Sequence, residues 1–397
     1  MLEELIIDNN NIQELINKKY IECNNNNCKV IVDINKLIFN NTNIIELYIN
    51  NKLNQIIFGQ SLKLEYFNCV ENFLTELDVN NLTNLKELIC YENNINNLYL
   101  DKINNLEYLD CFANNISKLN LNHLIKLKHL ECENNKLIEL IIDKLINLEY
   151  LDCSSNLLNE LIINNLINLQ KINCIKNNIN KLNLNNLKKI KSIECVENNL
   201  TELNFNNLDN LKKIYCFNNN LIKLNINNLP NLRILECNNN ELQKLTLINL
   251  PNLNEIICDN NKLTELNINN LDNLKFIKCN DNELINLDIN NFPNLINILC
   301  YNNKLIKLNL NNLPKLKILN CCDNKLKDLD INNLINLNII HCNNNNLTVL
   351  NIVNLNLDIT ECTIDKKLIL ISNKKIDNYT VSEKDYNDVI NVIDELF

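Results

Sequence analysis

The 397-residue sequence holds one glycine, four prolines, three histidines and no tryptophan. The lone glycine, Gly59, excludes phosphate-cradling loops and dinucleotide-binding turns, which need several glycines close together so that backbone can approach a phosphate. No stretch approaches roughly 18 uninterrupted apolar residues, so no membrane-spanning helix is expected. The opening Met-Leu-Glu-Glu is acidic and lacks the basic, then apolar, segments of a secretory leader. A soluble, cytoplasmic protein is therefore expected. Positive charge is also short. Lys and Arg total 38 against 48 Asp and Glu, a net charge of −10. Such a surface repels phosphate, and no partnership with nucleic acid is expected. The histidines, His123, His129 and His341, are scattered along the chain without a pocket-forming context. No catalytic residue, cofactor or metal set is assigned, and the chain reads as non-enzymatic.

Cysteine, by contrast, is abundant. Of 18 cysteines, fourteen stand 21 residues apart without a slip, beginning Cys69, Cys90, Cys111 and ending Cys300, Cys321, Cys342. A strict repeat of this length is the mark of a solenoid, a small unit stacked on copies of itself. The unit is seen in Leu106, Leu109, Cys111, Asn114, Ile116, Leu119, Leu121 and Leu124, and reads L-x-x-L-x-C-x-x-N-x-L-x-x-L-x-L-x-x-L-x-x. The asparagine recurs in all fourteen units, from Asn72 to Asn345. Alternation in L-x-C is the period of a strand with one face buried. The asparagine falls where the chain turns away from that strand, and its amide can satisfy backbone groups left unpaired inside the bend. The second L-x-L suggests a short strand on the return path. A unit this short has little room for a return helix. Pro230, Pro251, Pro293 and Pro314 all share one slot, which should be a turn because proline cannot donate to a ladder.

These motifs resemble those of leucine-rich repeat proteins, whose core signature is L-x-x-L-x-L-x-x-N/C-x-L. Length and nested rhythm are similar to the short 21-residue subclass of bacteria and giant DNA viruses, with cysteine where leucine is commoner. The resemblance covers residues 64–357. It implies a leucine-rich repeat solenoid of mostly parallel β structure with extended or short-strand return segments and little helix. It also implies a long face presented to protein ligands. Asn, Ile, Leu and Lys dominate the composition. AT-rich coding produces that bias, which points to a giant virus or a protozoan and, if viral, to the host cytoplasm.

Residues 1–63 read as irregular repeats forming an N-terminal cap, with an insertion near 17–43. Residues 358–397 read as a C-terminal cap, with a strand at Leu368 to Ile371 and a helix from Ser382. The whole is expected to be one continuous domain. The ladder cysteines occupy leucine positions and read as reduced core thiols, since free cysteine packs as a small hydrophobe. Cys23 and Cys28 form a loop pair with only loosely metal-like spacing. Cys322, beside Cys321, is expected to point outward and to be the most reactive thiol.

The residue between Leu and Cys should project to solvent on the outer face of the first sheet. Acids gather there in the N-terminal half, at Asp110, Glu131, Asp152 and Glu194, with Tyr215 following. Tyr66, Glu87, Tyr108 and Tyr150 fall in one flanking column, and Tyr91, Phe112, Glu133 and Phe217 in the other. Like charges on adjacent strands are destabilising, and exposed aromatics beside them resemble the anchors of binding faces. The expected function is a non-catalytic, monomeric module that binds a protein partner of basic character over this face. A merely solvated acidic face is the plain alternative. A structural or self-associating rod is the other, and a concentration-independent monomer in light scattering counts against it.

Overall fold

The computed structural model describes residues 2–371, apart from positions 8–10, 19–20, 25–26, 31–33, 40–42, 51, 60–61, 206–207, 354, 356, 358–362 and 365–367. The expected helix from Ser382 lies outside the described residues.

Each turn contributes a three-residue strand to a parallel front sheet. Tyr108–Asp110 pairs with Glu87–Ile89 on one side and His129–Glu131 on the other, placing Leu88, Leu109 and Leu130 in register. From Tyr66–Asn68 onward each strand is in register with the next at a 21-residue offset, so the sequence period becomes the spacing of strands, while the two pairs before it are offset by 19 and 20 residues. The chain forms two compact units, Met1–Leu221 and Ile222–Phe397. In the first, this pairing runs from Asn27–Val30 through Glu46–Ile49 and Tyr66–Asn68 to Lys213–Tyr215. In the second, it runs from Ile234–Glu236 to Ile339–His341. Return segments form short parallel pairs, such as Glu76–Asp78 with Asn97–Tyr99 and Lys244–Ile248 with Glu265–Asn269. Between front and back lie the apolar positions of the repeat. Leu109, Cys111, Ile116, Leu119, Leu121 and Leu124 are all buried, as are the fourteen ladder cysteines. The fourteen ladder cysteines and Cys322 are free thiols.

The asparagine after each front strand joins adjacent turns. Asn114 Nδ2 donates to the carbonyls of Cys90 (3.0 Å), Cys111 (3.1 Å) and Phe112 (3.2 Å), while its Oδ1 accepts from Ile95 N at 2.9 Å. The side chain thereby satisfies backbone that the bend would otherwise bury unpaired. A second set of asparagines, not anticipated from the sequence, does similar work at the opposite bend. Asn147 donates to Ile125 O at 2.8 Å, Asn252 to Pro230 O at 2.7 Å and Asn336 to Pro314 O at 2.6 Å. The four prolines stand in turns, as their shared slot requires.

The bend after each cysteine also demands a left-handed residue immediately before the ladder asparagine. Glu92, Ala113, Asn134, Ser155 and Lys176 take φ of 52 to 56°. No glycine occupies this slot, although non-glycine residues disfavour the region.

At the N-terminus, residues 17–43 contribute strands to both sheets. Ile21–Asn24 and Asn27–Val30 form an antiparallel hairpin that pairs the backbones of Cys23 and Cys28. Asn27–Val30 then joins the front sheet beside Glu46–Ile49. Ile34–Phe39 sits in the back between Leu2–Ile7 and Gln55–Phe58. Ile12–Asn17 is a short helix. At the other end, Ile369–Ile371 pairs with Val349–Asn351. Among the described residues no helix is long and apolar enough to cross a membrane.

Candidate protein-binding face

All the residues singled out from the sequence lie in the first unit, in three columns on the front sheet. The structure gathers some of them tightly. In the first column, His129 lies between two tyrosines. Its ring stacks on Tyr108 at 4.6 Å and 14° and on Tyr150 at 4.2 Å and 4°. Lys171 Nζ extends the column 5.5 Å from the Tyr150 ring centre, a cation–π contact. Glu131 sits beside this stack. Its Oε1 lies 2.6 Å from His129 Nε2 and accepts from the Tyr108 hydroxyl at 3.1 Å. In the third column the rings of Tyr91 and Phe112 are 6.1 Å apart.

Other residues make different partnerships. Tyr66 pairs with Tyr48 at 4.9 Å rather than with the trio. Glu87 is exposed. The Glu194 carboxylate takes Lys171 Nζ at 3.2 Å. Tyr215 and Phe217 belong to the front-sheet turn three strands beyond Tyr150 and are half-buried. Sequence reasoning missed His129 as the centre of the stack and Lys171 as its end. The signal was present: 21-residue steps from Tyr108 pass through both.

The middle column corrects one expectation. Asp110 and Asp152 point to the outer face, yet they are only 7% and 8% exposed. Flanking side chains on the two outer columns and on adjacent turns cover them. Asp152 accepts from Ser154 Oγ at 2.7 Å and Asn173 Nδ2 at 2.7 Å, and Asp110 from Phe112 N at 3.1 Å. Burial, reinforced by the Glu131 charge, pushes the Asp110 carboxyl up to about 6. Burial, with Asp152, Glu131 and Asp110 nearby, pushes Glu133 up to about 7. Glu133 Oε2 is buried without a hydrogen-bond partner. The face therefore gathers partly desolvated carboxyl groups.

A stability consequence follows in sign. Both folded-state values lie above those of the free side chains, so between about pH 4 and 7 the folded state binds more protons than the unfolded. Protonation then stabilises the fold, and this contribution is lost as pH rises through 6 to 7. The melting temperature is expected to be higher at pH 5 than at pH 8. Asp110→Asn with Glu133→Gln should flatten that difference, and an undiminished pH dependence in the double variant would refute the assignment.

Cys322 also departs from expectation. It follows the front strand Ile318–Asn320 in the slot expected to face outward, but it is 1% exposed. Its thiol donates to Asn343 Oδ1 at 2.8 Å, and Thr363 Oγ1 lies 3.8 Å away. Thr363, bridging His341 beyond the last repeat, covers it.

This architecture is a leucine-rich repeat solenoid with a cysteine ladder and an asparagine ladder. No family model and no curated protein matches the sequence, but solved structures do. The functional domain of InlJ from Listeria monocytogenes, whose structure includes a cysteine ladder, is 29% identical with a TM-score of 0.61, covering 74% of this chain and 66% of that one. The present chain thus spans just under two thirds of that domain. YopM, a leucine-rich effector protein of Yersinia pestis, is 25% identical over 77% of this chain and 86% of its own, with a TM-score of 0.56. The leucine-rich repeat protein LIC12759 of Leptospira interrogans shares the fold at 19% identity and a TM-score of 0.53, over 79% and 85% of the two chains.

Proposed function

We propose that the chain is a non-catalytic protein-interaction module of the cytoplasm whose first unit takes a basic polypeptide segment on the face from Tyr66 to Phe217. The observation that carries this reading is the Tyr108–His129–Tyr150 stack set beside the buried carboxyl groups of Asp110 and Asp152. Rigid aromatic surface gives contact area at low entropic cost. Desolvated acids beside it give a cationic partner more than solvated ones would, because the local dielectric is low. Asp110, Glu131, Asp152 and Glu133 outnumber the one cation stacked on the aromatic column, Lys171. The likeness to leucine-rich repeat proteins supports the same class of role. The subclass with giant-virus members belongs to the same proposal.

The test is to change Asp110, Glu131 and Asp152 together to Asn. Partners recovered by affinity capture from the native cell should fall by about tenfold or more, and wild-type capture should weaken with added salt. Unchanged capture of every partner by a folded triple variant would show the face to be idle.

A further inference from the structure

We propose that the bend of the first unit carrying Ile125, Ile146 and Ile167 docks an acidic amphipathic helix of a separate protein. The three isoleucines share one slot of the repeat, in the turn that leads into the front strand, and the 21-residue register stacks them on successive turns. They are 55%, 50% and 51% exposed. Single exposed apolar side chains are ordinary on a protein surface, whereas a contiguous row of them marks an interaction site. The row is bounded, since the same slot holds Asn104 in the turn before it and Lys188 in the turn after.

The backbone holds this row in place. Each isoleucine N–H donates to the carbonyl two residues before it, Ile125 to His123 at 3.0 Å, Ile146 to Lys144 at 2.9 Å and Ile167 to Asn165 at 2.9 Å. The Ile125 and Ile146 carbonyls accept from Asn147 and Asn168 of the following turns, both at 2.8 Å. β-Branched side chains on a fixed backbone have little rotamer freedom left to lose, so docking onto them costs little ordering entropy.

Charge selects an acidic partner. The chain as a whole carries −10, yet residues 123–126, 144–147, 165–168 and 186–189 hold four lysines and no carboxylate. Lys126, Lys144, Lys188 and Lys189 are all exposed. Among the described residues none of the four forms an ion pair. Lys126 and Lys189 donate instead to the amide oxygens of Asn105 and Asn168, each at 2.7 Å. Of the acids nearby, Asp143 accepts from Asn122 Nδ2 at 2.8 Å, and Glu107, whose charge reaches Lys126, is held by Lys128 at 2.7 Å. An apolar row flanked by such ammonium groups complements a surface in which apolar residues run between carboxylates.

Spacing selects a helix. Successive isoleucines stand about 4.8 Å apart, so the row is about 10 Å long. Side chains on one face of an extended strand recur about every 6.7 Å and fall out of step after one rung. Helical residues three and four apart lie about 5–6 Å from each other, and an i, i+4, i+7 seam covers about 10.5 Å. Acids on either side of that seam then meet the lysines. A bilayer surface fits less well, because three half-exposed side chains offer less hydrocarbon than a single acyl chain, which itself anchors only marginally.

The test uses the full chain and a fluorescent, end-capped peptide made of two copies of Leu-Glu-Gln-Leu-Leu-Glu-Ala. One counterpart carries Gln for every Glu, and another scatters the same residues so that the leucines share no face. The acidic peptide should bind saturably, gain helical circular dichroism on binding and lose affinity with added salt. Both counterparts should bind about tenfold more weakly or worse. Changing Ile125, Ile146 and Ile167 together to Asn should weaken binding by about tenfold or more, with the fold kept because Asn104 already occupies this slot. Changing Lys144, Lys188 and Lys189 together to Gln should weaken it severalfold and flatten the salt dependence. Binding should survive Asp110, Glu131 and Asp152 all changed to Asn, which separates this edge from the front face. Several results would overturn the proposal: no saturable binding of the acidic peptide, equal binding of the Gln counterpart, unchanged affinity in the isoleucine variant, or tighter binding to phosphatidylserine vesicles than to the peptide, lost in that same variant.

Discussion

Asn156→Ala is expected to lower the unfolding free energy by about 3–5 kcal/mol. Asn156 sits mid-ladder and is 6% exposed. Its Nδ2 donates to Cys132 O (3.0 Å), Cys153 O (3.1 Å) and Ser154 O (3.1 Å), and its Oδ1 accepts from Leu137 N at 2.9 Å. The two cysteine carbonyls keep one partner each, from Asn135 and Asn177. The Leu137 amide is left with none of its own, inside the coil, and an unmatched buried donor costs far more than an average hydrogen bond returns. Because solenoid stability is a sum of units and nearest-neighbour interfaces, the variant should also unfold in two steps rather than one. Urea denaturation followed by circular dichroism measures both effects. A midpoint within experimental error of wild type would mean that the ladder is decoration.

The second large effect concerns the thiols. Alkylation by iodoacetamide should modify the ladder cysteines at least about a thousandfold more slowly in the native protein than in urea. The thiolate is the reactive species, and burial suppresses it. Cys195 and Cys279 are pushed up to about 12, and Cys132, Cys174 and Cys258 are raised well above the ordinary thiol value. Neighbouring ladder thiols add to the burial for Cys132, Cys174 and Cys258, since a second negative sulfur close by would be repelled. Protection should be greatest near Cys132 to Cys195, away from fraying ends. Cys322 should be protected as well, held against Asn343 and Thr363. Mass spectrometry of alkylated peptides resolves each site. Labelling of the Cys153 peptide at the unfolded rate would show that the sulfurs are reached without unfolding.

Much of this was legible because the repeat states the same local instruction fourteen times. Alternation around Leu109 and Cys111 gave the strand and its buried face, and the fixed 21-residue step gave the register. Asn114 announced the bend. Pro230 and its three equivalents marked the opposite turn. What stayed hidden is what neighbours decide. The left-handed slot holds asparagine or aspartate in many units, such as Asn134, Asn218 and Asp281, a type that tolerates that conformation, but Glu92, Ala113, Ser155 and Lys176 in others, which do not favour it and blur the signal. Alternation says that Asp110 points outward and cannot say that the flanking columns cover it. The cover over Cys322 comes from Thr363, 41 residues away. The aromatic stack is half visible in the sequence: Tyr108 and Tyr150 stand out as exposed aromatics, whereas His129 between them is a residue type that does not by itself mark an aromatic surface.

The asparagine bonds also give the coil a direction. Each side chain serves amide and carbonyl groups of the turn before it, as Asn114 does for Ile95 and Cys90. A chain begun later would leave Asn114 its bonds to Cys111 and Phe112 and expose little that water could not repair. A chain stopped early, just before Asn114, would strand the Ile95 amide within the new final turn. Loss from the front is therefore forgiven more readily than loss from the rear, and every turn depends for its completeness on one synthesised after it.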